Sequence, residues 1–324
     1  MRVVHFHSAE PEVPEDLVAA MREFPQVSLV AVSNPGELAA ALPGAEILIV
    51  NNRGYDAGNA KIIRDNGSTL RWIQFCTSGI DNGVTNGFPP GVVVTNMAGL
   101  RAFSVAEQAF ALMLALVRQV RATELARTST DWCRDAITPS VDNLAGKHLV
   151  IVGMGAVGQE VARKAKAFDM QVTGVTRATG TMRNVDRLRP RGEMIAACGE
   201  ADMVLIAAGH DKSTDKFFGH DVLAAMKPTA YVVNVARGQL VDEPALIEAL
   251  QSKKIAGAGL DVTFVEPTPT DHPFWNMPNV VMTPHIGGAG SAGVGGGLGS
   301  IFADNLQLWL KGEPLNKVVI ARTP

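Results

Sequence analysis

Cysteine is scarce in this chain of 324 residues: there are three, Cys76, Cys133 and Cys198. An odd number at such wide separations gives neither a disulfide framework, nor the paired spacing of a zinc site, nor a redox Cys-x-x-Cys. A reducing, cytoplasmic setting is the expectation. An excess of either charge is also lacking, and a net charge of -3 offers no general attraction to nucleic acid or to an anionic membrane. Neither is expected as a partner. Long apolar runs are missing too: the stretch 109–117 falls short of the roughly 20 residues that cross a bilayer, and reads as a buried helix. The opening Met1-Arg2-Val3-Val4-His5-Phe6-His7 lacks the apolar core of a signal peptide and reads as a first strand. His5 and His7 share one face of that strand without a third ligand, so no metal site is expected.

What is present is apolar content, 47% of the residues, enough for a large core. The length predicts two domains. From the start, short β-like runs alternate with helical ones: Val3 to Phe6, Leu17 to Phe24, Val27 to Val32, Glu37 to Leu42, Ile47 to Val50, Ala57 to Asn66 and Trp72 to Phe75. Such alternation argues for a parallel sheet with helices on its faces. After the turn Pro89-Pro90-Gly91 and a last strand at 92–95, the chain crosses to a second domain around Asn96 to Gly99. A long helix is expected over Phe103 to Arg121, with Ser104 as N-cap and Glu107 completing a capping box. Its apolar residues run nearly all round, which suits burial between domains or subunits.

His148 to Val152 is an apolar run feeding directly into Gly153-Met154-Gly155-Ala156-Val157-Gly158, a strand followed by Gly-x-Gly-x-x-Gly. In a dinucleotide fold Gly153 makes the tight turn, Gly155 lets a pyrophosphate approach the backbone, and Gly158 lets the helix pack closely. Unpaired amides and the helix dipole favour the anion there. A helix (Gln159 to Phe168), strands at 172–175, 203–207 and 231–234, a helix at 243–250 and strands at 256–260 and 280–282 then follow. That is the order of a doubly wound nucleotide domain. The segment after 175 reads as a polar connection rich in arginine, and Gly287 to Gly299, with eight glycines in thirteen residues, reads as a hinge.

Four blocks make the chain resemble the D-isomer-specific 2-hydroxyacid dehydrogenases. They are Cys76-Thr77-Ser78-Gly79-Ile80-Asp81; Ser104-Val105-Ala106-Glu107; Asn234 through Arg237 to Asp242; and Gly259-Leu260-Asp261-Val262 through Glu266-Pro267 to Pro284-His285-Ile286-Gly287-Gly288. The resemblance implies an α/β protein in which a Rossmann doubly wound nucleotide-binding domain, 99–288, is inserted into a flavodoxin-like substrate domain made of 1–98 and 289–324. It implies domain rotation about the two connections, a homodimer through the nucleotide domain, and a small 2-keto or 2-hydroxy acid as substrate. The chain ends at Pro324 without room for the regulatory domain of many phosphoglycerate dehydrogenases, so an unregulated enzyme is expected.

Hydride exchange between a 2-hydroxy acid and a nicotinamide needs a cation for the carboxylate and a proton-transfer group for the hydroxyl. Arg237 is assigned to the first, because a guanidinium matches a carboxylate with paired donors and can polarise the carbonyl. His285 is the acid/base, its ordinary pKa lying nearest neutrality, and Glu266 would orient the ring and favour the imidazolium. By resemblance the Ser78 and Gly79 amides hold the carboxylate with Arg237, and Arg53 faces the same cleft or lies in solvent. Cofactor contacts fall on Gly153, Gly155, Ala156, Val157, Gly158, Ala208, Thr214, Val235, Ala236, Asp261 and Gly287. The acidic residue that binds the ribose of NAD, about 20 residues after the loop, is replaced by Thr176-Arg177. NADP is therefore the expected cofactor, with NAD as the alternative.

Two departures stand out: Ala207 to Asp211 replaces a His-x-Pro-type loop, and the glycines of 287–299 replace a polar helix start. The expected activity is reduction of a glyoxylate- or hydroxypyruvate-like keto acid. The alternatives are a related dehydrogenase for phosphite or a bulkier keto acid, and a non-catalytic nucleotide sensor like the related corepressors.

Overall fold

The computed structural model describes residues 1–7, 13–290 and 297–321. The chain divides into two compact units, 1–101 with 291–324, and 102–290.

In the first unit, β1 (Arg2–Phe6), β2 (Ser28–Val32), β3 (Ile47–Val50), β4 (Trp72–Phe75) and β5 (Val93–Thr95) form a parallel sheet ordered β5-β4-β3-β1-β2, with the strand Val318–Ile320 added antiparallel outside β5. This is the flavodoxin-like order. Every residue of β3 is buried, as a strand covered on both faces requires. Alternate residues feed two cores: Val4, Phe6, Leu48, Val50, Ile73 and Phe75 on one face, and Val3, Ile47, Ile49 and Trp72 on the other. On the second face Trp72 stacks on Phe302 of the helix Leu298–Lys311, with ring centroids 5.1 Å apart. His5 is 1% exposed and neither ring nitrogen has a partner among the described residues. Burial first, and the nearby His7 second, lower its pKa to about 4.

The helix Leu298–Lys311 starts inside the glycine-rich segment. Its glycines serve close packing at that start. A Cβ on Gly299 would lie 2.1 Å from the Asp16 carbonyl oxygen, and the Gly299 amide donates to Asp16 Oδ2 at 2.8 Å. Glycine thus lets the helix Glu15–Met21 press against the new helix's first turn. Residues 291–296 of the expected hinge lie outside the described residues.

The second unit is built on seven parallel strands: β6 (His148–Val152), β7 (Gln171–Thr176), β8 (Arg187–Pro190), β9 (Met203–Ile206), β10 (Tyr231–Asn234), β11 (Gly257–Leu260) and β12 (Val280–Met282). Their order is β8-β7-β6-β9-β10-β11-β12, the doubly wound arrangement with one strand added. The order reverses between β6 and β9. Ligands of such sheets bind beyond the strand ends at that point.

Two expectations are corrected here. The arginine-rich connection contains a strand, β8, which escapes the apolar pattern because it is an edge paired only with β7. The long helix is two: Ala102–Val117 and Val120–Thr128, bent by 66° where Gln119 takes a left-handed φ of 57°. Ser104 lies within the first helix and not at its cap, and Glu107 pairs with Lys164 at 3.3 Å. The apolar surface of Ala102–Val117 is covered largely by its own unit, against β10 to β12 and the helix Ala156–Ala167; Phe110 stacks on Phe168 at 4.9 Å. Among the described residues no single helix is long and apolar enough to cross a membrane.

Candidate active site in the nucleotide-binding unit

The loop after β6 has the geometry that its glycines foretell. Gly153 has a φ of 103°, and a Cβ there would lie 2.5 Å from the Ala208 amide nitrogen, in the turn after β9. The chain therefore turns hard against the neighbouring strand's end, which only glycine permits. A Cβ on Gly158 would lie 2.1 Å from the Gly153 carbonyl oxygen, so the helix packs directly onto the turn. Gly155 is the N-cap of Ala156–Ala167; no side chain caps that helix, and a Cβ on Gly155 would meet nothing within 4 Å. Uncapped amides facing open space at a helix N-terminus fit a pyrophosphate. Exposed Ala156 and half-buried Val157 begin the helix beside that space.

At the end of β7, Thr176 Oγ1 accepts a hydrogen bond from the Ala178 amide at 3.2 Å and Arg177 is exposed. The carboxylate of Asp186, by contrast, bonds the Val172 amide at 2.7 Å, near the strand's other end. After β9, Thr214 is buried and spends its hydroxyl inside its own loop, accepting from the Asp211 amide at 2.6 Å and donating to the Gly209 carbonyl at 3.0 Å. It shapes the turn that begins at Ala208.

The three residues assigned to chemistry follow the ends of β10, β11 and β12. Asn234 sets the first turn: its side chain donates to the Arg237 carbonyl at 2.9 Å and accepts from the Ala236 amide at 3.0 Å, fixing Val235 to Arg237. Arg237 is half-buried, with Nη1 donating to the Ala236 carbonyl at 2.7 Å. Gly238 brings the next loop in, since a Cβ on it would lie 2.0 Å from the Thr263 carbonyl oxygen. Thr263 donates its amide to Glu266 Oε1 at 3.3 Å. The other oxygen, Oε2, lies 2.6 Å from His285 Nδ1, with the two side chains 34% and 39% exposed.

Half-burial works to raise the Glu266 pKa, but the hydrogen bond and charge of His285, the Thr263 amide and the Arg237 charge together hold it below the usual carboxylate value. Glu266 is thus an anion that fixes the imidazole through Nδ1 and leaves Nε2 for another partner. His285 sits in the left-handed region, φ 55°, where a non-glycine residue persists only if its surroundings hold it. Asp261 does part of this: buried at 2% exposure, it accepts from the Ile286 amide at 3.0 Å and the Gly287 amide at 2.8 Å. The expected cofactor contacts Asp261 and Gly287 are therefore joined to each other.

Ser78, Gly79 and Arg53 belong to the first unit. Ser78 Oγ donates to the Met97 carbonyl at 3.0 Å, Thr77 Oγ1 donates to the Gly79 carbonyl at 2.7 Å, and Asn82 is bonded twice to Asn52, tying the loop after β3 to the helix Asp81–Asn86 that follows β4. Among the described residues neither the Ser78 nor the Gly79 amide has an acceptor. That suits an anion. Arg53 is exposed. Thr263 and Asn234, which hold the loops carrying Glu266 and Arg237, were not singled out from the sequence as site residues. Asn234 does stand first in one of the four blocks.

The doubly wound sheet thus carries the glycine loop at its reversal, with Arg237, Glu266 and His285 following the ends of β10, β11 and β12. Residues 110–287, more than half of the chain, match the model for "D-isomer specific 2-hydroxyacid dehydrogenase, NAD binding domain". The glyoxylate reductase of Pyrococcus furiosus is 36% identical over 258 residues, 77% of this chain and 75% of that protein. The D-3-phosphoglycerate dehydrogenase of Methanocaldococcus jannaschii is 31% identical over 313 residues, 94% of this chain; the chain spans 57% of that protein's length. A solved D-isomer specific 2-hydroxyacid dehydrogenase family protein from Aeromonas salmonicida superposes with a TM-score of 0.81 at 25% identity, covering 98% of this chain and 99% of the other. The chain belongs to the D-isomer specific 2-hydroxyacid dehydrogenase family, whose reaction class is oxidation and reduction at CH–OH carbon.

Proposed function

We propose that this protein reduces a small 2-keto acid, glyoxylate- or hydroxypyruvate-like, to the D-2-hydroxy acid, with NADPH preferred over NADH. The 2.6 Å contact between Glu266 and His285 Nδ1, beside Arg237, carries the reading. A nicotinamide dinucleotide, whose pyrophosphate the glycine loop at 153–158 would hold, would supply the hydride for the keto carbon. The protein supplies the rest. Glu266 stabilises the imidazolium, and His285 gives its Nε2 proton to the keto oxygen as charge builds on it, so that carbonyl becomes hydroxyl. Arg237 pairs with the carboxylate and lowers the cost of that charge. Ser78 and Gly79 are the first unit's contribution to carboxylate binding on this reading. Thr176 and Arg177, with no carboxylate at the end of β7, favour a 2′-phosphate over a bare ribose.

Assembly as a homodimer through the nucleotide-binding unit is part of the same proposal. Val120, Leu125 and Trp132, 47%, 56% and 88% exposed, offer apolar surface for it, and sedimentation at graded concentrations tests it. For the activity, the test is a panel of 2-keto acids with NADPH and NADH. Turnover of at least one small keto acid is expected. Tight nucleotide binding with no turnover on any keto acid would favour the sensor reading.

A further inference from the structure

The acid/base histidine is held by more than its carboxylate partner, and the additional support reaches it from a distant helix. Gln108 lies on the helix Ala102–Val117 and is half-buried. Its Nε2 donates to Thr283 Oγ1 at 2.8 Å, and Thr283 Oγ1 donates to Asp261 Oδ1 at 2.7 Å. The direction of this chain is fixed by chemistry: an amide nitrogen can only donate, so the threonine hydroxyl accepts from it and must send its own proton to the carboxylate. Asp261 passes the constraint on. The same Oδ1 accepts the Ile286 amide, Oδ2 accepts the Gly287 amide, and the Asp261 carbonyl accepts the His285 amide at 2.8 Å. Every backbone amide from His285 to Gly287 thus ends on one buried residue.

We infer that Gln108 is a positioning residue for His285, acting through Thr283 and Asp261. Two features make the arrangement demanding. His285 occupies a left-handed backbone conformation that is not intrinsically favoured, so its imidazole is aimed only as well as its two flanks are anchored. Asp261 is a buried carboxylate that depends on three donors, and removing one leaves charge less well satisfied at the centre of the network. The Gln108 stem also lies over this loop: a Cβ on Gly287 would be 3.4 Å from Gln108 Cγ. A longer side chain at 287 or a shorter one at 108 would change the packing as well as the hydrogen bond. The link spans 175 positions in sequence, and its two ends sit on different elements of one unit.

The inference rests on the proposed role of His285, and the test separates the two. Gln108→Met keeps the stem and removes the donor; Thr283→Val keeps the shape and removes the hydroxyl; Thr283→Ser keeps the hydroxyl. With glyoxylate and NADPH, Gln108→Met and Thr283→Val are expected to lower kcat about five-fold or more, the effect of losing one hydrogen bond that aims the proton donor. The solvent deuterium isotope effect on kcat should rise in both, because proton transfer becomes more limiting, while Thr283→Ser stays near wild type. A purely structural role would lower the melting temperature and leave the isotope effect unchanged. If His285→Asn is inactive while Gln108→Met matches wild type in kcat and isotope effect, the positioning role is overturned and the role of His285 stands. If His285→Asn is fully active, the reading on which both rest has failed.

Discussion

Replacing Glu266 by Gln removes the charge that faces His285 while keeping the side chain's size. In the native pair Oε2 lies 2.6 Å from Nδ1, a short contact of the kind made between charged groups. A hydrogen bond to a charged group contributes about 1.5–3 kcal/mol, and exposure of roughly a third of each side chain reduces this through solvent screening to about 1–2 kcal/mol. If that stabilisation acts on the proton-loaded histidine, its loss lowers kcat/KM for keto-acid reduction by about 5- to 30-fold. The pH profile gives a second handle. The Glu266 carboxyl is held below the usual carboxylate value, so it stays an anion to lower pH than an unpartnered glutamate, and the Glu266→Gln profile should lose whatever part of the acid limb its protonation sets. The assay is loss of NADPH absorbance with glyoxylate across pH, beside a fluorescence titration showing that cofactor binding is unchanged. A Glu266→Gln enzyme within about two-fold of wild type at neutral pH would refute the role given to the carboxylate.

Arg177→Asp should move cofactor preference from NADPH towards NADH, measured as the ratio of the two kcat/KM values; a marked wild-type preference for NADH would count against the assignment of Thr176 and Arg177. Gly299→Ala forces a Cβ to within 2.1 Å of the Asp16 carbonyl, and overpacking of this kind should destabilise the protein by about 1–3 kcal/mol in denaturant melts. His5 is buried with a pKa near 4, so the unfolded chain binds its proton first as pH falls from 6.5 to 4, and stability drops over that window by up to about 3 kcal/mol. In His5→Leu the pH dependence of the denaturation midpoint should be flatter there, and an unchanged slope would contradict the assignment.

The strands of both sheets were legible because buried parallel strands are continuous apolar runs: Ile47–Val50, Trp72–Phe75, Tyr231–Asn234 and Val280–Met282 lie where the sequence puts them. Polar or exposed elements were not. β8 carries arginines at 187 and 189 on a sheet edge, and the helix Val120–Thr128 has no buried residue, so neither shows a core-facing period. The helix break fell at Gln119 without a glycine or proline to mark it. In the candidate site, the glycine loop and the proposed Arg237, Glu266 and His285 set could be picked out as candidates because each lies in a contiguous block, and the structure brings Glu266 and His285 into contact. The Gln108–Thr283–Asp261 chain could not, since only the packing of the helix Ala102–Val117 against β12 brings its ends together.

The proposed role of His285 is to move the proton in keto-acid reduction. The most direct measurement is NADPH-dependent reduction of glyoxylate and hydroxypyruvate by wild type and His285→Asn side by side, with NADPH affinity titrated in both. Turnover by the wild type and its near-complete loss in the variant, at unchanged cofactor affinity, are expected. A variant that turns over either keto acid at the wild-type rate would contradict that role.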